Sequence, residues 1–194
     1  MRTGLLLAML LLASAALAEL PGPAASWELP QLMAAMRQVP AATARFVERK
    51  QMRVLDQPLQ SSGKLIYVAP DLLQKETLTP VQSRLTLNRD RLIMDQPDGK
   101  SRDLSLSDYP EMGALVESIR ATLAGDLATL TRHYTATLTG GPMEWSLLLE
   151  PRDNRLRDLV SAIRIRGSGN RIHGMETIES DGDRTLMTMT PESE

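Results

Sequence analysis

The stretch that decides the fold reads Arg-Leu-Thr-Leu-Asn-Arg-Asp-Arg-Leu-Ile-Met-Asp-Gln-Pro-Asp-Gly and occupies residues 84–99. Residues 84–87 alternate polar and apolar side chains, which predicts a strand with one wet face. Residues 88–90 form a turn and residues 91–95 the next strand, and Pro97-Asp98-Gly99 is a strong turn signal. Short strands joined by tight turns are typical of an antiparallel meander.

The same alternation of polar and apolar side chains, with a period of two residues, extends through much of the chain. Strands are predicted over residues 43–54, 64–68 and 71–78, and residues 100–106 complete the run. The pattern returns between residues 134 and 190, where Met143 is expected to share a face with Trp145 and Leu147. We expect about six strands, then a helical insert, then about four further strands.

Two stretches have the period of a helix. Ser26 is the candidate N-cap of the first helix, Pro30 lies in its first turn, and Pro40 ends it. Pro110 opens a second helix that is broken at Gly125 and continued by a short helical piece. We therefore predict a mainly β fold with helices (α+β), in which one curved antiparallel sheet carries helices against one face. The apolar face of the first helix consists of Leu29, Leu32, Met33 and Met36.

The N-terminus has the pattern of a secretory signal. Arg2 precedes an uncharged, mostly apolar run over residues 4–18, which ends in the small-x-small pattern Ala16-Leu17-Ala18. The run is shorter than the roughly 20 residues of a membrane span, and an uncleaved anchor is the alternative. We expect a cleaved signal peptide over residues 1–18, a single domain over residues 19–194 and export to the periplasm.

The composition excludes several classes of protein. The 194 residues contain no cysteine, which excludes disulfide scaffolds, thiolate metal sites and a lipid anchor attached through cysteine. Basic and acidic side chains number 22 and 24, and this balance argues against nucleic acid as a partner. The many leucines and methionines suit a flexible acyl ligand, although a plain hydrophobic core has the same composition.

No constellation of catalytic or metal-binding residues is evident. His133 and His173 are 40 positions apart without an acidic cluster, and no Gly-x-Ser-x-Gly motif is present. Asp181-Gly182-Asp183 lacks the rest of a calcium loop and is interpreted as a turn. Glu48 lies among basic residues, which favours a solvated face over a buried general acid. We expect no enzyme activity, no cofactor and no metal.

Four segments carry a resemblance to a known family. They are residues 46–50 (Phe-Val-Glu-Arg-Lys), 63–73 (Gly-Lys-Leu-Ile-Tyr-Val-Ala-Pro-Asp-Leu-Leu), 79–80 (Thr-Pro) and 85–92 (Leu-Thr-Leu-Asn-Arg-Asp-Arg-Leu). Together with the signal peptide they resemble the LolA family of periplasmic outer-membrane lipoprotein carriers. The resemblance implies an incomplete β-barrel, closed by a helical lid, whose apolar interior holds acyl chains. The family carries an arginine that ties the sheet to the lid, and here that position is Ala69.

The resemblance implies a carrier that shuttles a lipoprotein or another lipid-like amphiphile from the inner to the outer membrane. It would act as a monomer and meet an inner-membrane donor and an outer-membrane acceptor only transiently. The alternative is a lipid-sensing or partner-docking module of the same fold. The expected lipid-binding residues are Phe46, Leu65, Tyr67, Leu85, Leu87, Leu92, Met94, Trp145 and Leu147 on the sheet, and Met112, Leu115, Val116, Ile119 and Leu123 on the lid.

Overall fold

The computed structural model describes residues 27–192. The predicted signal peptide and Ser26 lie outside these residues. The strands are β1 (Ala41–Gln51), β2 (Leu59–Val68), β3 (Leu72–Thr79), β4 (Ser83–Asn88), β5 (Arg91–Asp95), β6 (Ser101–Ser105), β7 (Tyr134–Gly141), β8 (Glu144–Pro151), β9 (Val160–Ser168), β10 (Arg171–Glu179) and β11 (Arg184–Pro191). The helices are α1 (Leu29–Met36), α2 (Pro110–Ala124), α3 (Leu127–His133) and α4 (Asn154–Arg157).

Helix α1 forms where the apolar spacing predicts it, but its N-cap differs. Glu28 is the N-cap and exchanges capping-box hydrogen bonds with Gln31, so the prediction of Ser26 in this role is wrong. Leu32, Met33 and Met36 are buried, which confirms the predicted apolar face of the helix.

One open antiparallel sheet contains the eleven strands of the described residues. Their spatial order is β6-β5-β4-β3-β2-β1-β11-β10-β9-β8-β7, so β6 and β7 are the free edges. Strand β1 joins the two meanders by pairing with β2 on one side and with β11 on the other. The curved, incomplete barrel is thereby confirmed. Five strands follow the helical insert, one more than the sequence predicts.

The helices pack on one face of the sheet, here called the inner face, and two hydrophobic cores lie beneath them. The larger core joins α1, α2 and α3 to strands β7 to β10 and includes the fully buried Trp145 and Leu147. The smaller core consists of Leu87, Leu92 and Leu106 with half-buried neighbours on β3, β5, β6 and α2. The inner face is therefore filled more densely at its β7 to β10 end.

The outer face of the sheet carries ion pairs instead of a core. Arg164 donates to Glu176 at 3.1 Å, and Arg84 lies 2.9 Å from Glu76. Arginines alternating with apolar residues on β9 thus mark an exposed face. Met143, in contrast, is 87% exposed in the β7–β8 turn, so its predicted place beside Trp145 is wrong.

Candidate functional site

The strand register places all nine predicted sheet residues on the inner face. Seven of them lie on β1, β2, β4 and β5, and the other two lie on β8. Trp145 and Leu147 on β8 are sealed within the larger core and do not meet solvent. The β1 to β5 set is Phe46, Leu65, Tyr67, Leu85, Leu87, Leu92 and Met94.

This β1 to β5 set is only partly covered. Four of its members are buried, whereas Leu65 and Met94 are half-buried and Leu85 is 36% exposed. Leu85 and Met94 are direct cross-strand partners on β4 and β5. Some apolar side chains on the inner face are therefore exposed to solvent. A densely packed core would have excluded solvent from them.

Helix α2 lies above this region, and its most buried face is made of small residues. Ser118, Ala121 and Thr122 are buried, and a side chain at Gly125 would collide with the carbonyl of Met33 on α1. Small side chains let α2 approach the neighbouring helices closely, which larger residues would prevent. The predicted lid residues are half-buried instead: Met112, Leu115, Val116, Ile119 and Leu123.

Four of the five lid residues divide between the two cores. Leu115 and Leu123 pack against the larger core, whereas Met112 and Val116 pack against the smaller one. We use the name inner apolar surface for five partly exposed apolar residues of β2, β4, β5 and α2, namely Leu65, Leu85, Met94, Met112 and Val116.

An ion pair lies on the inner face beside this surface. Lys75 on β3 donates to Glu48 on β1 at 2.7 Å, and Ser61 on β2 donates to the other carboxylate oxygen at 3.2 Å. The Lys75 ammonium is 5.0 Å from the centre of the Phe46 ring. The predicted solvated position of Glu48 is wrong, because the alternation that turns Phe46 inward turns Glu48 inward as well.

A second polar contact fastens α2 to the sheet. Arg120 donates to Asp71 in the β2–β3 turn and to the carbonyl of Arg89 in the β4–β5 turn, both at 2.6 Å. Ala69 cannot make the sheet-to-lid contact that the family resemblance implies at that position. In this chain the arginine comes from the helix and the sheet turn supplies the carboxylate.

Two buried polar atoms lie near this contact. Within residues 27–192, Arg120 Nε and the Tyr67 hydroxyl have no hydrogen-bond partner. Burial raises the pKa of Tyr67, and the negative charge of Asp71 raises it further. The end of the inner face beneath Arg120 is therefore poorly hydrated.

Two surface recesses lie away from the inner apolar surface. One of about 430 Å³ is lined by residues near α4, including Glu150, Pro151 and Arg157. The other, of about 260 Å³, is lined mainly by the outer-face residues Val47 and Thr188 and their neighbours. Met112 and Val116 of α2 pack against the smaller core, so the inner apolar surface is a contact zone beneath a helix.

The titratable clusters elsewhere are already engaged in contacts. His133 is 3.0 Å from Glu117, and His173 is 2.7 Å from Ser168. The carboxylates of Glu179, Asp181 and Asp183 approach one another within 4.8 Å at the β10–β11 turn. Lys50 and the backbone of Arg53 bind two of them, which fits the interpretation of this segment as a turn.

Sequence comparison places this architecture in a family. Residues 21–192 match the family described as outer membrane lipoprotein carrier protein LolA-like. The chain belongs to this LolA-like family. No curated protein matches the chain. Within residues 27–192, none of the helices combines the length and apolar character that a membrane span needs.

Solved structures similar to this LolA-like chain share little sequence with it. A LolA superfamily protein from Nitrosomonas europaea is 11% identical, with 83% of this chain and 90% of that chain covered and a TM-score of 0.42. A chain of the Pseudomonas aeruginosa MucA/MucB complex is 11% identical, with 85% of this chain and 56% of that chain covered and a TM-score of 0.40. A chain of the complex between the CwlD amidase of Clostridioides difficile and the GerS lipoprotein is 10% identical. The match covers 75% of this chain and 80% of that chain, with a TM-score of 0.39.

Sequence patterns identify the apolar members of the site but miss its polar ones. Lys75 and Glu48 face inward, and Arg120 fastens α2, yet no motif in the sequence assigns any of them a place in the site. For Glu48 a signal was available in the alternation from Phe46. For Arg120 there was none, because Asp71 is 49 positions away.

Proposed function

We propose that this LolA-like protein is a non-enzymatic periplasmic carrier of acylated amphiphiles. The observation that carries the proposal is the inner apolar surface. Its Met94, Met112 and Val116 are half-buried beside the smaller core, whereas Leu65 and Leu85 stay partly exposed on the same face of the sheet. Such a surface gains by taking up an apolar ligand, since each buried methylene contributes about 0.8 kcal/mol. Membership of the lipoprotein carrier family supports the same conclusion.

Uptake in this mechanism requires α2 to move. α2 lies against the smaller core through Met112 and Val116 and is fastened by Arg120. An acyl chain would replace these contacts with its own, so the open and closed states need differ by only a few kcal/mol. Release follows when an acceptor buries the chain better. The cargo would be collected at an inner-membrane donor and delivered to an outer-membrane acceptor.

A pair of leucine variants tests the proposal. Leu85→Asp places a carboxylate beside Lys75 in the inner apolar surface and should weaken binding of a fluorescent fatty-acid probe by at least about tenfold, because the acyl chain would have to cover a charged group instead of a leucine. Leu186→Asp is the matched control, since Leu186 is a strand leucine of similar exposure (44% against 36%) on the outer face. Equal probe binding by both variants, or no binding by the wild-type protein, would contradict the proposal.

A docking function is the second candidate, and exposed apolar residues at one end of the sheet favour it. Val54 and Leu59 border the β1–β2 loop with 83% and 54% exposure, and Val81 in the neighbouring β3–β4 turn is 57% exposed. A sensor module would hold one partner in a stable stoichiometric complex through such a patch. A pull-down in which the Val54→Ser/Val81→Ser variant loses that complex and keeps probe binding would favour docking over shuttling.

A further inference from the structure

We propose that the Lys75–Glu48 pair is a head-group site, and that the preferred ligand is a single-chain or multi-chain amphiphile with a zwitterionic head. This inference rests on the proposed carrier function and specifies its cargo. The phosphate or other anionic group of the head would lie beside Lys75, and its ammonium group would lie beside Glu48.

The position of the pair supports this assignment. Lys75 lies between Leu65 on β2 and Leu85 on β4, its direct register partners, so it is inserted into the inner apolar surface itself. Glu48 pairs in register with Ser61 on β2 and Met187 on β11. A ligand whose chain covers Leu65 and Leu85 therefore has its polar end within reach of the pair.

The geometry leaves the pair able to bind further groups. The side chains of Lys75 and Glu48 are 27% and 18% exposed, so they are accessible but poorly hydrated. Lys75 has three N–H donors and uses one for Glu48, and each Glu48 oxygen keeps a free lone pair. The site therefore offers donors and acceptors side by side.

The energetics of the pair call for a role beyond stability. Two charges taken partly out of water contribute little net stabilisation, and apolar residues of similar size usually stabilise such a position at least as well. Gly63 on β2 lies between Leu65 and Ser61, the register partners of Lys75 and Glu48, and a side chain at Gly63 would collide with the backbone carbonyl of Glu76. The pair thus occupies space that leucines could have filled.

Charge complementarity selects the class of head group. The pair is neutral overall, so a net anion or net cation bound there would add an uncompensated charge to a poorly hydrated surface. A zwitterion brings one charge of each sign and compensates both residues. A hydroxyl-bearing neutral head would bind with ordinary hydrogen bonds, which are weaker than charge-assisted ones.

Three probes with the same acyl chain test the assignment. They are lysophosphatidylethanolamine (zwitterionic), lysophosphatidylglycerol (anionic) and monoacylglycerol (neutral), each measured by displacement of a fluorescent fatty acid from the purified protein. The wild-type protein should bind the zwitterionic probe about tenfold more tightly than the other two, given the strength of charged hydrogen bonds.

Variants separate recognition from a structural role. Glu48→Gln leaves the Lys75 charge without its carboxylate and should reverse the preference toward the anionic probe. The double variant Glu48→Met/Lys75→Met should fold and bind all three probes equally. Glu76→Gln, which breaks the outer-face pair with Arg84, is the matched control and should keep the wild-type preference.

The outcomes distinguish this inference from the carrier proposal. Equal binding of the three probes by the wild-type protein, or a preference for the anionic or neutral probe, overturns the head-group assignment and leaves the carrier function standing. A zwitterion preference that persists in the Met/Met variant also overturns it. No binding of any acyl probe overturns both.

Discussion

Gly167 on β9 shows how tightly one residue position is specified. A side chain here would overlap the indole ring of Trp145 and the carbonyl of Arg171. Trp145 cannot move away freely, because its indole nitrogen donates to the carbonyl of Gly169 at 2.9 Å and its ring is fully buried. Gly167→Ala should therefore lower the free energy of unfolding by about 2 kcal/mol through overpacking.

The effect of Gly167→Ala is measured as the urea midpoint of unfolding, and a substitution at a second glycine, Gly141, is the matched control. A methyl group at Gly141, at the end of β7, would meet open space, so Gly141→Ala should leave the midpoint unchanged or raise it slightly. Similar destabilisation by the two substitutions would show that the indole contact is not the cause.

Asp126 at the start of α3 gives the protein a defined dependence on acid. Its carboxylate accepts from the backbone N–H of Thr129 at 3.1 Å, and hydrogen bonds from Thr129 hold its pKa below the ordinary value of 3.8. The carboxylate's contribution to stability is therefore complete above the unfolded-state pKa. It is lost as pH falls through the lower folded-state pKa.

Two substitutions at position 126 separate capping from titration. Asp126→Ala should cost about 1 kcal/mol at pH 7, whereas Asp126→Asn, itself a good N-cap, should cost much less. Both should flatten the fall in stability below about pH 4, since neither side chain titrates. Denaturation at several pH values measures this, and an unchanged acid slope in Asp126→Asn would contradict the assignment.

At the scale of elements, the contact between Arg120 and Asp71 controls how firmly α2 rests on the sheet. Arg120 reaches both the β2–β3 turn and the β4–β5 turn, so its removal frees α2 from two places at once. Arg120→Met should increase hydrogen exchange of the α2 amides about tenfold, because charge-assisted hydrogen bonds are lost.

The matched control for Arg120 is a helical arginine with a weak contact. Arg132 on α3 is 64% exposed at its side chain and lies 3.9 Å from Glu117. Arg132→Met should leave exchange of α2 at the wild-type rate. If Arg120→Met also leaves it unchanged, side-chain packing of α2 against the neighbouring helices and the smaller core, and not the Arg120 contact, holds α2 in place.

The elements could be predicted from the sequence far better than their contacts. Alternation of Leu85 and Leu87, with turn signals at Asp90 and Gly99, predicts the strands and the turns between them, because these depend on local spacing. The burial of Ser118 and Thr122 could not be predicted, since it depends on the approach of α1 and α3. The same holds for Lys75, which finds Glu48 only after β2 is inserted between β1 and β3.

At the scale of the whole molecule, the two ends of the sheet differ in how completely they are packed. The larger core is fully packed, and burial raises the pKa of Tyr134 within it to about 12, partly offset by the nearby Ser118 hydroxyl. The β1 to β5 end combines a small core with partly exposed leucines and methionines.

This asymmetry predicts how protection from hydrogen exchange is distributed and how a ligand changes it. Without ligand, amides of β8 and β9 should exchange most slowly, and those of β4 to β6 and of the first half of α2 should exchange faster, because fewer buried apolar contacts hold them. An acyl ligand should slow exchange in β2 to β5 and in α2 and leave β8 and β9 unchanged. Ligand binding also stabilises the whole folded state by mass action, which would slow the slowest amides as well. The comparison is therefore made at a ligand concentration near Kd, where this global stabilisation is about 0.4 kcal/mol. Slowing confined to β8 and β9 would show that the ligand binds the larger core, which contradicts a carrier surface under α2.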